Sequence, residues 1–133
     1  MQRVLIVGLG LIGGSIGLAL RRWSDEHKVE NRKPLEVVGF DPNLDHQRAA
    51  EKMGAVDRGA WDLAKAAREA DVVILAMPVV AMREAMSDLA PHLQPGVVVT
   101  DTGSTKAQVL EWAQEVLPTS IHFVGGHPMA GKT

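Results

Sequence analysis

The sequence of 133 residues has no cysteine, no long apolar run and no large excess of one charge. Without cysteine the chain can form no disulfide, no thiolate nucleophile and no cysteine-ligated metal site. No apolar stretch is long enough to cross a bilayer. The formal net charge is −2 and there is no basic stripe, so nucleic acid and anionic membranes are not expected partners. We expect a cytoplasmic protein with no targeting segment before its first strand and no metal site.

The composition is that of an ordinary globular chain, with 46% apolar residues. The length fits one domain over residues 1–133. Apolar β-type runs alternate with helix-type runs, and the β-type runs are nearly continuous in Val, Ile and Leu. Strands of this kind are buried on both faces, between layers of helices. The pattern predicts an α/β fold with a doubly wound parallel sheet, the Rossmann-type arrangement, with strand order 3-2-1-4-5-6.

The individual elements follow from the same patterns, with a charged connection at 24–34 read as exposed. Met82, Met86 and Leu89 recur on one helix face and predict a core stripe. Gly54 is the expected C-cap of the second helix. The predicted strands are Arg3–Val7, Glu36–Phe40, Ala55–Asp57, Asp71–Ala76, Gly96–Thr100 and Ile121–Val124. The predicted helices are Leu11–Trp23, Leu44–Met53, Trp61–Glu69, Val79–Leu89 and Ser104–Leu117.

A glycine-rich turn joins the first strand to the first helix, and its spacing is that of a dinucleotide-binding loop. Gly8 allows a sharp turn, Gly10 lets a pyrophosphate approach the backbone, and Gly13 lets the helix pack close to the sheet. The helix N-terminus offers N–H groups and a partial positive charge to phosphates. We assign cofactor contacts to these glycines and to Leu11 and Ile12. An ordinary tight turn is the alternative.

Two further turns at the same predicted sheet edge could contact a nucleotide. Asp41 follows the second strand, where a carboxylate can accept the ribose hydroxyls and would repel a 2′-phosphate. No arginine follows it directly, so NAD is favoured over NADP. Asp41 could instead merely cap the next helix. Met77 and Pro78 follow the fourth strand and could form an apolar wall beside the cofactor, or could simply end the strand.

The last two turns carry groups suited to proton transfer. His127 follows the sixth strand, and an imidazole there can accept or share a proton near neutral pH. Ser104 follows the fifth strand, where a helix cap alone would also explain its hydroxyl. Lys106 lies on the same side, and its role stays open. The other histidines are interpreted as solvated (His27, His46 and His92) or structural (His122).

The C-terminal segment also fits a P-loop pattern, from Gly126 to Gly131-Lys132-Thr133. A P-loop needs a helix directly after its lysine and hydroxyl, and that helix would lie beyond Thr133. The His-Pro pair restricts the backbone that must cradle phosphate. Asp101 is the one candidate for a Mg²⁺-holding carboxylate. An NTPase is therefore the less favoured interpretation, and the role of Lys132 stays open.

Taken together, three motifs resemble the prephenate/arogenate dehydrogenase family. They are the glycine turn at 8–15, Asp101-Thr-Gly-Ser-Thr-Lys106 and Phe123-Val-Gly-Gly-His-Pro-Met-Ala-Gly131. The resemblance implies NAD-dependent oxidative decarboxylation of prephenate or arogenate in tyrosine biosynthesis. By position, His127 matches the catalytic histidine that binds the substrate hydroxyl and takes its proton. Ser104 matches the serine that orients this histidine beside the nicotinamide.

The chain departs from that family in three respects. The connection at 24–34 is long, Thr133 stands where a glutamate is frequent, and we expect none of the family's helical second domain within these 133 residues. That domain supplies substrate-binding groups and most of the dimer interface, so the resemblance implies a homodimer for the full-length enzyme. We expect this chain to bind NAD and to turn over prephenate poorly by itself. A non-catalytic NAD-binding module and another NAD(P)-dependent hydroxyacid or imine oxidoreductase are the alternatives.

Overall fold

Strands and helices alternate along the chain in the computed structural model, which describes residues 2–26, 34–103 and 106–125. The strands are β1 (Gln2–Val7), β2 (Leu35–Phe40), β3 (Arg58–Gly59), β4 (Val72–Leu75), β5 (Val98–Asp101) and β6 (His122–Val124). The helices are α1 (Leu11–Glu26), α2 (Leu44–Lys52), α3 (Leu63–Glu69), α4 (Val79–Leu89) and α5 (Lys106–Val116), with a 3₁₀ turn at Ala90–His92. All strand pairs are parallel, and the order β3-β2-β1-β4-β5-β6 confirms the predicted doubly wound sheet.

Successive residues of β1 point to opposite faces of the sheet, as burial on both faces requires. Leu5 and Val7 pack with the helices α3, α4 and α5, whereas Val4 and Ile6 pack on the side of α1 and α2. The predicted core stripe on α4 is confirmed, since its three members are at most 1% exposed (Met82, Met86 and Leu89). The sheet is therefore covered by two separate apolar layers.

The third strand was predicted wrongly, because Ala55–Asp57 forms a turn and the strand is Arg58–Gly59. The Asp57 carboxylate accepts the N–H of Val37 at 2.7 Å and so takes a position that a strand carbonyl would occupy. Arg21 holds the same carboxylate at 3.0 Å. Pairing with β2 is thereby restricted to two residues.

Other boundaries differ by a few residues at the helix ends. The α1 helix continues past Trp23 to Glu26. The α3 helix begins at Leu63 because Asp62 is its N-cap and accepts the N–H of Lys65 at 3.2 Å. Met53 is the C-cap of α2, and the expected Gly54 follows it with φ +82°. The predicted start of the last helix at Ser104 lies outside the described residues.

Backbone contacts hold α1 against the sheet. A Cβ on Gly13 would overlap the carbonyl oxygen of Gly8, and a Cβ on Gly17 would overlap the carbonyl oxygen of Ala55. Gly14, between them, has no atom within 4 Å of its Cβ position. The close approach therefore depends on two particular glycines, and it fixes the position of the α1 N-terminus relative to β1.

Candidate functional site

A cleft of about 680 Å³ opens at the carboxyl ends of β1, β2 and β4 and extends along α4. We call it the carboxyl-edge cleft. Ligands of open parallel sheets bind at this edge, near the point where the strand order reverses. Five of the predicted contact residues line the cleft, namely Gly8, Gly10, Asp41, Met77 and Pro78.

The glycine turn leaves its backbone bare toward the cleft. Gly8 has φ +103°, and a Cβ there would lie 2.5 Å from the carbonyl oxygen of Ala76, so only glycine fits. Gly10 lines the cleft and has no atom within 4 Å of its Cβ position. The α1 helix begins at the next residue, so its first N–H groups, which have no partner within the helix, lie next to the cleft residue Gly10. The arrangement suits an anionic group at the helix N-terminus.

Asp41 is buried at the end of β2, with 8% of its surface exposed. One carboxylate oxygen accepts the N–H of Leu9 at 2.7 Å, and the other accepts the N–H of Asn43 at 2.8 Å. The idea that Asp41 caps α2 was wrong, because the N-cap is Asn43 and its side chain accepts the N–H groups of Asp45 and His46. Asp41 instead ties the glycine turn to the turn after β2.

Two residues beside Asp41 were missed in the sequence. Gln47 is buried, accepts the N–H of Asp41 at 3.0 Å and donates to the carbonyl of Ala60 at 3.1 Å. His46 was interpreted as solvated, yet its Nδ1 lies 3.4 Å from the Asp41 carboxylate and its side chain lines the cleft. Gln47 and buried Ala50 share one face of α2, which is the signal that sequence inspection could have used.

The described lining of the carboxyl-edge cleft carries negative charge. Asp41 lies at one side, and Glu84 and Asp88 line the cleft from α4. No lysine or arginine belongs to the described lining, and His46 is the one basic group in it. A ligand with an extra phosphate near Asp41 would meet repulsion there, whereas hydroxyl groups could donate hydrogen bonds to the carboxylate.

The remaining predicted contacts lie around the cleft in different environments. Leu11 and Ile12 form the first turn of α1 with 88% and 49% of their surfaces exposed, and neither lines the cleft. Gly13 packs behind them against Gly8. Pro78 precedes α4 and Met77 packs against the core, so these two end β4 and also line the cleft.

The turn after β5 is folded by a second buried carboxylate. Asp101 is 3% exposed and accepts the N–H of Gly103 at 2.8 Å, while the N–H of Thr102 donates to the carbonyl of Leu75 at 3.1 Å. Ser104 and His127 lie outside the described residues, as does the P-loop-like segment with Lys132. Elsewhere, His122 is exposed on β6 and His92 lies 3.3 Å from Arg68.

Within the described ranges, no three acidic, histidine or cysteine side chains are grouped so that they could hold a metal ion. In the same ranges no helix is long and apolar enough to cross a membrane.

Comparison with known proteins decides the family. The profile of the prephenate dehydrogenase nucleotide-binding domain matches residues 16–133. The chain belongs to this family. It is 38% identical to the prephenate dehydrogenase of Lactococcus lactis over 99% of its own length and 35% of that relative.

Solved structures give the same result for the prephenate dehydrogenase family. The chain is similar to Aquifex aeolicus prephenate dehydrogenase, solved with hydroxyphenyl propionate and NAD⁺, with a TM-score of 0.82 and 36% identity, over 100% of this chain and 43% of that one. It is similar to Synechocystis arogenate dehydrogenase with a TM-score of 0.80 and 30% identity, over 99% and 42% of the two chains. The chain thus spans well under half the length of these relatives.

Proposed function

We propose that this chain is the NAD-binding part of a prephenate or arogenate dehydrogenase that acts in tyrosine biosynthesis. One observation carries the proposal: the bare backbone at Gly10, the α1 N-terminus and the Asp41 carboxylate all meet at the carboxyl-edge cleft. The N-terminus of α1, with its partial positive charge, suits the phosphates of a dinucleotide. The Asp41 carboxylate suits the ribose hydroxyls. Similarity to the Aquifex enzyme solved with NAD⁺ supports the same cofactor.

Each group has a distinct role in the proposed site. The N–H groups at the start of α1 bind the pyrophosphate, which approaches over Gly10. Asp41 accepts hydrogen bonds from the ribose while it holds the glycine turn through Leu9. Leu11 and Ile12 contact the cofactor from the first turn of α1, and Met77 and Pro78 form an apolar wall. Acidic lining and the absence of a described lysine or arginine there favour NAD over NADP.

The chemical step rests on the family resemblance. A bound NAD would supply the hydride acceptor for the ring carbon that bears the substrate hydroxyl, and the ring carboxylate would be lost as CO₂ in the same reaction. We propose that His127 hydrogen-bonds this hydroxyl and takes its proton, and that Ser104 orients His127.

A matched pair of glycine substitutions tests the cofactor site. Gly10→Ala places a methyl group in open space at the cleft, where it would obstruct a pyrophosphate without touching the protein. Gly14→Ala places the same methyl group in open space within α1, and Gly14 does not line the cleft. We expect Gly10→Ala to weaken NAD binding about tenfold or more, as loss of a charge-assisted contact would, while Gly14→Ala leaves it unchanged.

Calorimetric titration of the wild type and both variants with NAD, NADP and Mg²⁺-ATP gives the answer. The proposal predicts that NAD binds most tightly. Preferential, Mg²⁺-dependent binding of ATP would overturn it in favour of an NTPase. Equal NAD affinity in both glycine variants would show that the cofactor does not pass over Gly10.

We also propose a cytoplasmic location and a homodimer for the full-length enzyme. The chain's net charge and lack of cysteine fit the first, and the family resemblance suggests the second. Size-exclusion chromatography with light scattering on the full-length enzyme would test the dimer.

A further inference from the structure

The Asp41 carboxylate has a neighbour whose charge can change. His46 is the fourth residue after the proline that follows Asp41, and α2 brings its Nδ1 to 3.4 Å from Oδ2 of Asp41. The same oxygen already accepts the Leu9 N–H at 2.7 Å. The His46 side chain is 53% exposed and lines the carboxyl-edge cleft. The imidazole therefore lies at the mouth of the site proposed for the ribose.

We propose that His46 determines cofactor specificity at the ribose 2′ position. This inference rests on the proposed NAD site and deepens it. When His46 is neutral, Asp41 alone sets the charge near the 2′ position, and a 2′-phosphate is repelled. When His46 is protonated, its positive charge offsets that of Asp41 and can pair with the phosphate. Discrimination against NADP therefore weakens as the pH falls.

The surrounding charges make His46 the deciding group. Asp41 faces it from the end of β2, and Glu84 and Asp88 line the same cleft from α4. On α2 itself, Asp45 precedes it in the first turn. Among these side chains, the imidazole is the one type that ordinarily changes charge near neutral pH.

Sequence signals alone would not give this result. The usual basis for NADP acceptance is an arginine close to the second strand, and here Pro42 and Asn43 follow Asp41. His46 reaches the carboxylate because α2 begins at Leu44, directly after the N-cap Asn43, and the N–H of Asn43 itself donates to Asp41. The cap thus sets the distance between His46 and Asp41.

The test is the ratio of the NADP and NAD dissociation constants, measured by calorimetry from about pH 6.5 to 8.5 at constant ionic strength. Because the His46 side chain is half exposed and solvent screens its charge, we expect the wild-type ratio to rise only about fivefold over this range. In His46→Asn most of this rise in the ratio should be lost, and the pH dependence that remains should come from ionisation of the 2′-phosphate. His46→Arg should keep the ratio low at every pH. His92→Asn, in the 3₁₀ turn and outside the lining of the cleft, should behave as the wild type.

The possible outcomes distinguish a failure of the proposed NAD site from a failure of the role of His46. If the wild type binds neither nucleotide, the NAD site fails and the role of His46 fails with it. If NAD binds but wild type and His46→Asn show the same pH dependence of the ratio, only the His46 proposal is overturned. Proton uptake on NADP binding, measured in buffers of different ionisation enthalpy, should be smaller in His46→Asn than in the wild type.

Discussion

Replacing Gly13 by alanine tests how closely α1 must approach the sheet. The added methyl group would overlap the carbonyl oxygen of Gly8 and lie 2.9 Å from its carbonyl carbon. Both atoms belong to the backbone of the turn that leaves β1, so no rotamer change can move them. The helix must shift outward instead, and its N-terminus moves with it.

The size of the effect follows from two opposing contributions. An alanine within a helix is favoured over glycine by about 0.5–1 kcal/mol. Overpacking against a fixed neighbour costs about 1–3 kcal/mol, and a backbone neighbour gives the upper end of that range. We therefore expect Gly13→Ala to lower the free energy of unfolding by about 2 kcal/mol. For a domain of this size the melting temperature should fall by about 6–8 °C.

The matched control is Gly14→Ala, which adds the same methyl group to open space one position along α1. It should raise the melting temperature by about 2–4 °C, because only the helix preference remains. Thermal unfolding followed by circular dichroism at 222 nm, a wavelength that reports helix content, measures both variants under the same conditions (about pH 7). Equal shifts in the two variants would refute the view that backbone contact limits the position of α1.

Four further predictions follow from other contacts. Asp41→Asn should weaken NAD binding about tenfold in a calorimetric titration and lower stability by about 1–3 kcal/mol, because the charge-assisted bond to Leu9 is lost. Burial alone would raise the pKa of Glu36, but hydrogen bonds from Arg3 and Arg58 outweigh it and lower that pKa. The stability that Glu36 contributes is present above the ordinary glutamate pKa and is lost as the pH falls through the lower pKa of the folded state. In urea titrations between about pH 5 and 3, the stability of the wild type should therefore decline more steeply than that of Glu36→Gln. Met86→Ala should cost about 2–4 kcal/mol by the same urea assay, since Met86 is fully buried. Absorbance at about 340 nm should show slow or no prephenate-dependent NADH formation by these 133 residues alone, because the relatives are more than twice as long; rapid turnover would contradict this.

Much of the fold follows from local patterns that admit one structure. The run from Val72 to Leu75 is apolar throughout, with Asp71 directly before it and Pro78 three residues after it, and this pattern favours a buried strand. The α4 helix has both its apolar stripe and a proline before its start, and its bounds were predicted correctly. Strand β3 was not predictable in this way. Its length is set by the Asp57 side chain, which pairs with the backbone of a strand distant in sequence.

In the candidate site, too, some residues could be predicted from local patterns and others could not. Gly8, Gly10 and Asp41 were identified because each has a recognisable place relative to a strand end. The contribution of His46 and Gln47 depends on how the Asn43 cap orients α2 toward β2, which no local pattern expresses. The alternative in which Asp41 caps α2 failed for a related reason, since Asp41 and Asn43 lie two positions apart and either side chain type can cap a helix.

The contact between α1 and the sheet has a consequence for how sequences of this kind can change. A clash between two side chains can be relieved elsewhere, because a neighbour can become smaller. The contacts at Gly13 and Gly17 are with the carbonyl oxygens of Gly8 and Ala55, and no mutation makes a carbonyl smaller. A screen for second-site suppressors of Gly13→Ala should therefore recover few local repairs and mainly true revertants. The exposed face of the same helix, which includes Leu18, is free of that constraint.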